Sequence, residues 1–374
     1  MKYYIIAGEA SGDLHGSNLI KEIKHLDGEA TIRCWGGDLM QAAGATVVKH
    51  YKDLAFMGFI EVVKNLPTIL NNLKFCKKDI EHYSPDVVVL IDYPGFNLRV
   101  ASWAKERGIK VIYYISPQVW AWKENRVKQI KKVVDKMLVI LPFEKDFYQN
   151  RWSYDVAFVG HPLVQVIQDY VQKEAAPLEY LKPVIALLPG SRQQEVKVKL
   201  PIMLQAAQAF PDYQFVIAKA TSLDDEFYTT ITNNYPGVLA VKNETYRLLS
   251  VATAALVTSG TATLETALFG VPQAVCYKGS PISYQIAKRL LKIKYISLVN
   301  LIMDKPVVKE LIQEEFNVQN VVKELDLLLH NESRKQQIKN DYFDLKSLLQ
   351  QGGNASQKAA AIIVGFTKAN SAKA

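Results

Sequence analysis

Unbroken apolar runs in this chain repeatedly end on a turn of small residues and pass straight into a helical pattern, and that rhythm limits what the chain can become. In residues 254–270, AALVTSGTATLETALFG, Ala254–Thr258 reads as a buried strand and Ser259-Gly260-Thr261 as a tight turn. The next residues, with Leu264, Ala267 and Leu268 at helical spacing, read as a helix ended by Gly270, and Pro272–Cys276 as the following strand. A turn that opens a helix aims backbone N–H groups and the positive end of the helix at one spot, which suits phosphate. Glu265, one turn in, is placed to accept hydrogen bonds from sugar hydroxyls beside such a phosphate. An ordinary βα turn capped by Ser and Thr fits the same residues.

A second stretch, Val184–Glu195 (VIALLPGSRQQE), repeats the pattern with Arg192 at the exit of Pro189-Gly190-Ser191. Arginine grips phosphate oxygens in fork geometry. Two such turns suit a doubly wound α/β domain whose strand ends converge on one nucleotide. Neither turn is a GxxxxGK[ST] sequence and no GxGxxG occurs, so ATPase and dehydrogenase readings are weak.

At 374 residues, two domains are expected, each large enough for its own core. A net charge of +8 points to acidic partners such as phosphates, anionic lipid or nucleic acid. Cys34, Cys76 and Cys276 are far apart without a CxxC, which indicates neither a zinc site nor a disulfide framework and fits a reducing cytosol. The apolar start, Tyr3–Ala7, stops at Gly8-Glu9 and reads as the first strand, being too short for a signal sequence or a membrane span.

A third junction follows that strand: Gly8-Glu9-Ala10-Ser11-Gly12-Asp13 carries two carboxylates, with His15 beside them. Asp13 reads as a cap of its own helix, whereas Glu9 sits at the carboxyl end of a strand, where α/β sheets place their sites. Asp92, at the end of the strand Asp86–Ile91, faces the same edge, with capping of the next helix as the competing role. Phe56–Ile80 has helical apolar spacing with several lysines. It reads either as a core-facing helix pair or as an interfacial face with Phe56, Met57, Phe59 and Ile60 as wedge residues. The loop Ser116–Lys123 holds Trp120 and Trp122, either core packing or a platform for sugar or acyl groups. The lysines and Arg126 on the helix after it read as a solvated face or a lipid-phosphate contact. His161 reads as structural. Gln165–Pro183 reads as the linker to the second domain, and Asn354 as the cap of a last helix.

Seven motifs stand in series: GEASGD (Gly8–Asp13), IDYPGFN (Ile91–Asn97), SPQVWAW (Ser116–Trp122), LPFE (Leu141–Glu144), VGHPL (Val159–Leu163), LPGSR (Leu188–Arg192) and SGTATLE (Ser259–Glu265). Together they resemble the lipid A disaccharide synthase family from residue 1 to about residue 345. The resemblance implies a GT-B glycosyltransferase fold, two Rossmann-like doubly wound domains facing each other across a cleft. Residues 1–164, completed by a C-terminal helix at about 345–374, would form the acceptor and membrane-facing domain, and residues 165–344 the UDP-sugar-binding domain. It further implies inverting transfer of 2,3-diacylglucosamine from its UDP carrier to 2,3-diacylglucosamine 1-phosphate, without cofactor or metal. It also implies a place at the cytoplasmic face of the inner membrane with peripheral association, and a possible homodimer, since some family members exchange C-termini between two subunits.

By matched position, Asp92 resembles the general base and Glu9 a second active-site carboxylate. Arg192 and Asn300 resemble residues that hold the nucleotide diphosphate, and the strand–turn–helix reading adds the turns Gly190-Ser191 and Ser259-Gly260-Thr261 and the sugar-facing Glu265 as substrate-binding candidates. The chain departs from the family pattern at Gly95, where the family often has Asp, and at Val299, where it often has Pro. Competing readings are another UDP-sugar GT-B enzyme, such as a peptidoglycan-lipid transferase or a UDP-sugar epimerase, and a non-catalytic nucleotide-sugar-binding module. Nucleic-acid binding is disfavoured, because the lysines are scattered and no RRM, KH or helix-turn-helix pattern accompanies them.

Overall fold

The computed structural model describes residues 1–54, 66–173, 178–280, 284–285, 288–289 and 293–371. The wedge residues Phe56, Met57, Phe59 and Ile60 lie outside the described residues. The chain divides into two compact units, Met1–Pro162 with Leu349–Ala374, and Leu163–Leu348.

In the first unit the order is β1 (Lys2–Ala7), α1 (Ala10–Leu26), β2 (Thr31–Gly36), α2 (Asp38–Ala42), β3 (Thr46–His50) and α3 (Leu66–Tyr83). Then come β4 (Val87–Ile91), α4 (Pro94–Glu106), β5 (Lys110–Tyr114), α5 (Arg126–Val133), β6 (Lys136–Val139), α6 (Pro142–Trp152) and β7 (Ala157–Phe158). The second unit runs α7 (Pro162–Gln172), β8 (Val184–Leu188), α8 (Gln193–Ala207), β9 (Gln214–Lys219), α9 (Asp225–Thr232), β10 (Leu239–Lys242), α10 (Thr245–Val251) and β11 (Ala252–Thr258). It continues through α11 (Thr261–Leu268), β12 (Gln273–Tyr277), α12 (Leu298–Met303), β13 (Lys309–Ile312), α13 (Val318–His330) and α14 (Glu332–Gln350). The last helix, α15 (Ala355–Ser371), packs against α1 in the first unit. Its buried face uses Ala359, Ala360, Ile363 and Val364, and Asn354 caps it by accepting from the Gln357 N–H at 3.1 Å.

All ladders are parallel. The strand order is β3-β2-β1-β4-β5-β6-β7 in one sheet and β10-β9-β8-β11-β12-β13 in the other. Each sheet therefore starts at an inner strand, winds one way, then returns to the other side of that strand and winds outward again. Strands buried on both faces read as continuous apolar runs, which is why all five residues of β4 and of β8 are buried. The reversal falls between β1 and β4 in the first sheet and between β8 and β11 in the second.

Two local expectations need correction. The stretch assigned as linker begins as helix α7, for which Pro162 is well suited at the first position because it lacks the N–H that would go unpaired there. Asp13 does not cap its own helix. Its carboxylate is buried and accepts from the N–H groups of Gly37 (2.7 Å), Leu39 (3.1 Å) and Met40 (3.1 Å), so it caps α2. Asp13→Ala would strand three backbone donors, and we expect a loss of about 2 kcal/mol, read as a melting temperature about 4–8 °C lower. An unchanged melting curve would show that water replaces the carboxylate without cost.

Candidate active site

At the reversal of the first sheet, Ala7 pairs with Ile91, so the loops that follow β1 and β4 leave the sheet side by side. Glu9 comes from the first loop and Asp92 from the second. Their approach depends on Gly8: a Cβ there would lie 2.4 Å from the Tyr93 ring, so only glycine lets the ring cover the backbone of the neighbouring loop. Asp92 and Tyr93 both hold left-handed backbone, with φ of 44° and 49°. Non-glycine residues in that region cost about 1–3 kcal/mol each and persist where their surroundings hold them. The clamp is visible. The Asp92 carbonyl accepts from Tyr113 OH at 2.6 Å and from Asn97 Nδ2 at 2.7 Å, and Asn97 also donates to the Ile91 carbonyl at 3.2 Å.

The clamped carboxyl is half-buried. Burial, with the Glu9 charge second, pushes its proton affinity up to about 7 against a weaker opposing hydrogen bond from the Tyr93 N–H. A third carboxylate lies nearby. Glu144, at the start of α6, is fully buried, accepts from Trp120 Nε1 at 3.2 Å, and is raised to about 7 by burial, with the Asp92 charge a minor contributor. In the sequence Glu144 stands inside LPFE with no role of its own, and Pro followed by Glu two positions later is the available sign of a helix start. Gly95, the position where the family often has Asp, is exposed, and a side chain there would meet nothing within 4 Å.

His15 and His161 are both buried, and burial lowers them to about 4 and about 3, so both are neutral near pH 7. Cys34, Cys76 and Cys276 are buried free thiols whose proton affinity burial raises, the opposite of what a nucleophile needs.

At the reversal of the second sheet, β8 leads into Gly190-Ser191-Arg192 and β11 into Ser259-Gly260-Thr261. Thr258 Oγ1 donates to the Pro189 carbonyl at 2.8 Å and ties the two turns together. Gly190 has φ 122°, and a Cβ there would sit 2.5 Å from Glu195 Oε2. Arg192 is exposed at the N-terminal boundary of α8 and lies 3.4 Å from Glu195. Ser191, Gly260 and Thr261 are also exposed, and Ser259 Oγ donates to the Ile296 carbonyl at 2.8 Å. Glu265 is half-buried, accepts from Tyr246 OH at 2.7 Å, and is raised by burial.

Asn300 is placed differently. It is buried on α12, its Nδ2 donates to the Val308 carbonyl and to Glu310 Oε1 (2.9 Å each), and its Oδ1 accepts from the Val308 N–H at 2.9 Å. Glu310 also accepts from the N–H groups of Ile296 and Ser297. Asn300 and Glu310 thus bracket the segment that Ser259 touches, and the Asn300 side chain is spent on the protein's own backbone and Glu310.

Two parallel, doubly wound sheets in one chain, one edged by carboxylates and the other by a small-residue turn with arginine, define the GT-B class. A solved UDP-GlcNAc 2-epimerase from Neisseria meningitidis, bound to UDP-GlcNAc, matches with a TM-score of 0.69 at 13% identity, covering 98% of this chain and 99% of that one. The glycotransferase of kitacinnamycin matches with a TM-score of 0.65 at 13% identity over 97% and 98%. At those identities the likeness concerns the fold. Sequence relatives carry it further: residues 3–364 match the Lipid-A-disaccharide synthetase family. The Lipid-A-disaccharide synthase of Syntrophus aciditrophicus is 40% identical over 376 residues, 97% of each chain. The chain belongs to the lipid-A-disaccharide synthetase family and is a glycosyltransferase.

Asp92 binds its proton more tightly folded, at about 7, than unfolded, where a carboxyl titrates near about 4. Its contribution to stability is therefore complete at low pH and is lost as pH rises through about 7. Asp92→Asn removes that loss, so the variant is expected to melt above the parent at about pH 8 and to show no such gain at about pH 4. The same shift at both pH values would mean that the carboxyl titrates normally.

Proposed function

We propose that the enzyme transfers 2,3-diacylglucosamine from its UDP carrier to the 6-hydroxyl of 2,3-diacylglucosamine 1-phosphate. The products are a β-1,6-linked disaccharide 1-phosphate and UDP. The observation that carries the mechanism is Asp92, a carboxyl at the sheet reversal whose proton affinity is raised to about 7. A base matched to neutral pH removes a proton most effectively.

In this reading the acceptor oxygen attacks the anomeric carbon as Asp92 takes its proton, and the bond to the UDP oxygen breaks on the opposite face, which inverts the centre. Glu9 keeps the Asp92 proton affinity high through its charge. Negative charge grows on the departing diphosphate, and Arg192, the turn Gly190-Ser191 and the amide groups opening α11 at Ser259-Gly260-Thr261 are the groups suited to receive it. Glu265 takes hydroxyls of the nucleotide sugar. Asn300 acts indirectly, by holding the segment beside Ser259 in place.

Acylated substrates put the enzyme at a membrane face, and we place it at the cytoplasmic face of the inner membrane. Among the described residues no helix is long and apolar enough to cross a membrane. The net charge of +8 and the exposed Lys128, Lys131 and Lys132 on α5 favour an anionic surface.

Purified protein supplied with both lipids is expected to release UDP and form a disaccharide phosphate by mass only when both are present. Epimerisation or hydrolysis of the nucleotide sugar alone would overturn the reading. Asp92→Asn should lower turnover roughly 10²–10⁴-fold while UDP still binds, and near-normal turnover would remove Asp92 as the base. Arg192→Ala should weaken UDP binding roughly tenfold or more, and an unchanged dissociation constant would take Arg192 out of the diphosphate site.

A further inference from the structure

We propose that Glu144 is a positioning residue for the acceptor: its carboxylate holds the Trp120 indole, and with it the ring-rich loop 116–122, at the strand edge that carries Asp92. The inference rests on the reading of the first unit as the acceptor side.

Glu144 is 1% exposed, and all its partners are donors. Oε2 accepts from the N–H groups of Ile140 (3.3 Å) and Leu141 (3.0 Å), while Oε1 accepts from Trp120 Nε1 (3.2 Å). The first two bonds cap α6, which needs only one oxygen and is normally done at a surface. The second oxygen, buried, is used on the loop. Burying a carboxylate is costly unless each of its oxygens is satisfied, so the Trp120 bond is part of what keeps the group in place.

The loop takes further tethers from α6. Phe143 meets Trp120 edge-on at 4.9 Å, and Ser116 Oγ shares a 2.7 Å hydrogen bond with Tyr148 OH. Within the loop there are only short turns, Val119 N–H to the Pro117 carbonyl and Ala121 N–H to the Gln118 carbonyl. The backbone on either side is left-handed, at Ile115 (φ 67°) and Lys123 (φ 56°), conformations that are held rather than chosen. The loop presents Trp122, exposed, with Lys123 Nζ 4.1 Å and the Arg126 guanidinium 5.8 Å from its ring centre. An aromatic face bordered by cations fits an acceptor that combines a sugar ring or acyl chain with a phosphate. β5, which feeds the loop, pairs with β4, and Tyr113 of β5 clamps the Asp92 carbonyl, so loop and base share one support.

The test uses the whole enzyme with both lipid substrates. Trp120→Phe keeps a ring, removes the indole N–H and leaves both backbone bonds of Glu144 intact. Glu144→Gln is the partner variant. Each is expected to raise the acceptor KM about tenfold while the donor KM stays unchanged, and Trp120→Phe, which leaves Glu144 Oε1 buried without its donor, is expected to melt a few degrees lower yet stay folded under assay conditions. The double variant should be no worse than Glu144→Gln alone within about twofold, because both changes break one bond. Effects that multiply, or donor and acceptor constants that move together, would overturn the inference. So would an unmoved acceptor KM in Trp120→Phe, which carries the test if Glu144→Gln fails to fold. A parent enzyme with no two-lipid turnover would instead remove the acceptor reading, and this inference with it.

Discussion

A parallel sheet that starts at an inner strand has one place where two neighbouring loops at its carboxyl edge diverge, and both sheets of this protein put their candidate chemistry there. In the first, the loops after β1 and β4 carry Glu9 and Asp92. In the second, the turns after β8 and β11 carry Arg192 and Ser259-Gly260-Thr261. The winding rule thus sets the position of the site before any side chain is considered. The side chains set its candidate character: carboxylates at the first edge, and a guanidinium beside helix-opening amides at the second.

The first site is built against local preference. Asp92 and Tyr93 hold left-handed backbone, Gly8 lies under the Tyr93 ring, and the Asp92 carboxyl is kept half out of water beside Glu9. Each of these costs stability, and each is offset by a named contact: Tyr113 and Asn97 on the Asp92 carbonyl, and the buried β4 and largely buried β5 beneath. A carboxyl in an open loop would titrate near about 4 and be a weak base at neutral pH. Burial, with the Glu9 charge second, raises the proton affinity of Asp92 to about 7.

Several residues with chemical potential are committed elsewhere. Asp13 sits in the same loop–helix junction as Glu9, yet three backbone donors of the α2 region occupy it. Asn300 spends its amide on Val308 and Glu310. His15 and His161 are kept uncharged by burial. Asp13 and His161 read as structural in the sequence, and what the fold places against each of these residues sets them apart from Asp92.

The sequence by itself determined the strands at the two reversals, because β1, β4, β8 and β11 are buried on both faces and so read as apolar runs closed by small-residue turns. It also determined the membership of the chain in its family, through seven motifs, four of which lie on those turns. β2, β3 and β13 were not legible: β3 and most of β13 are only partly buried, and a half-exposed strand leaves a mixed pattern that helices and loops share. Only the tertiary structure decided that Glu144 joins the Asp92 edge, that Asp13 serves another helix and that the Asn300 amide is turned onto Val308 and Glu310. Those outcomes depend on contacts between segments far apart in the chain, and a side chain's proton affinity and free hydrogen-bonding capacity are set by such neighbours rather than by its type.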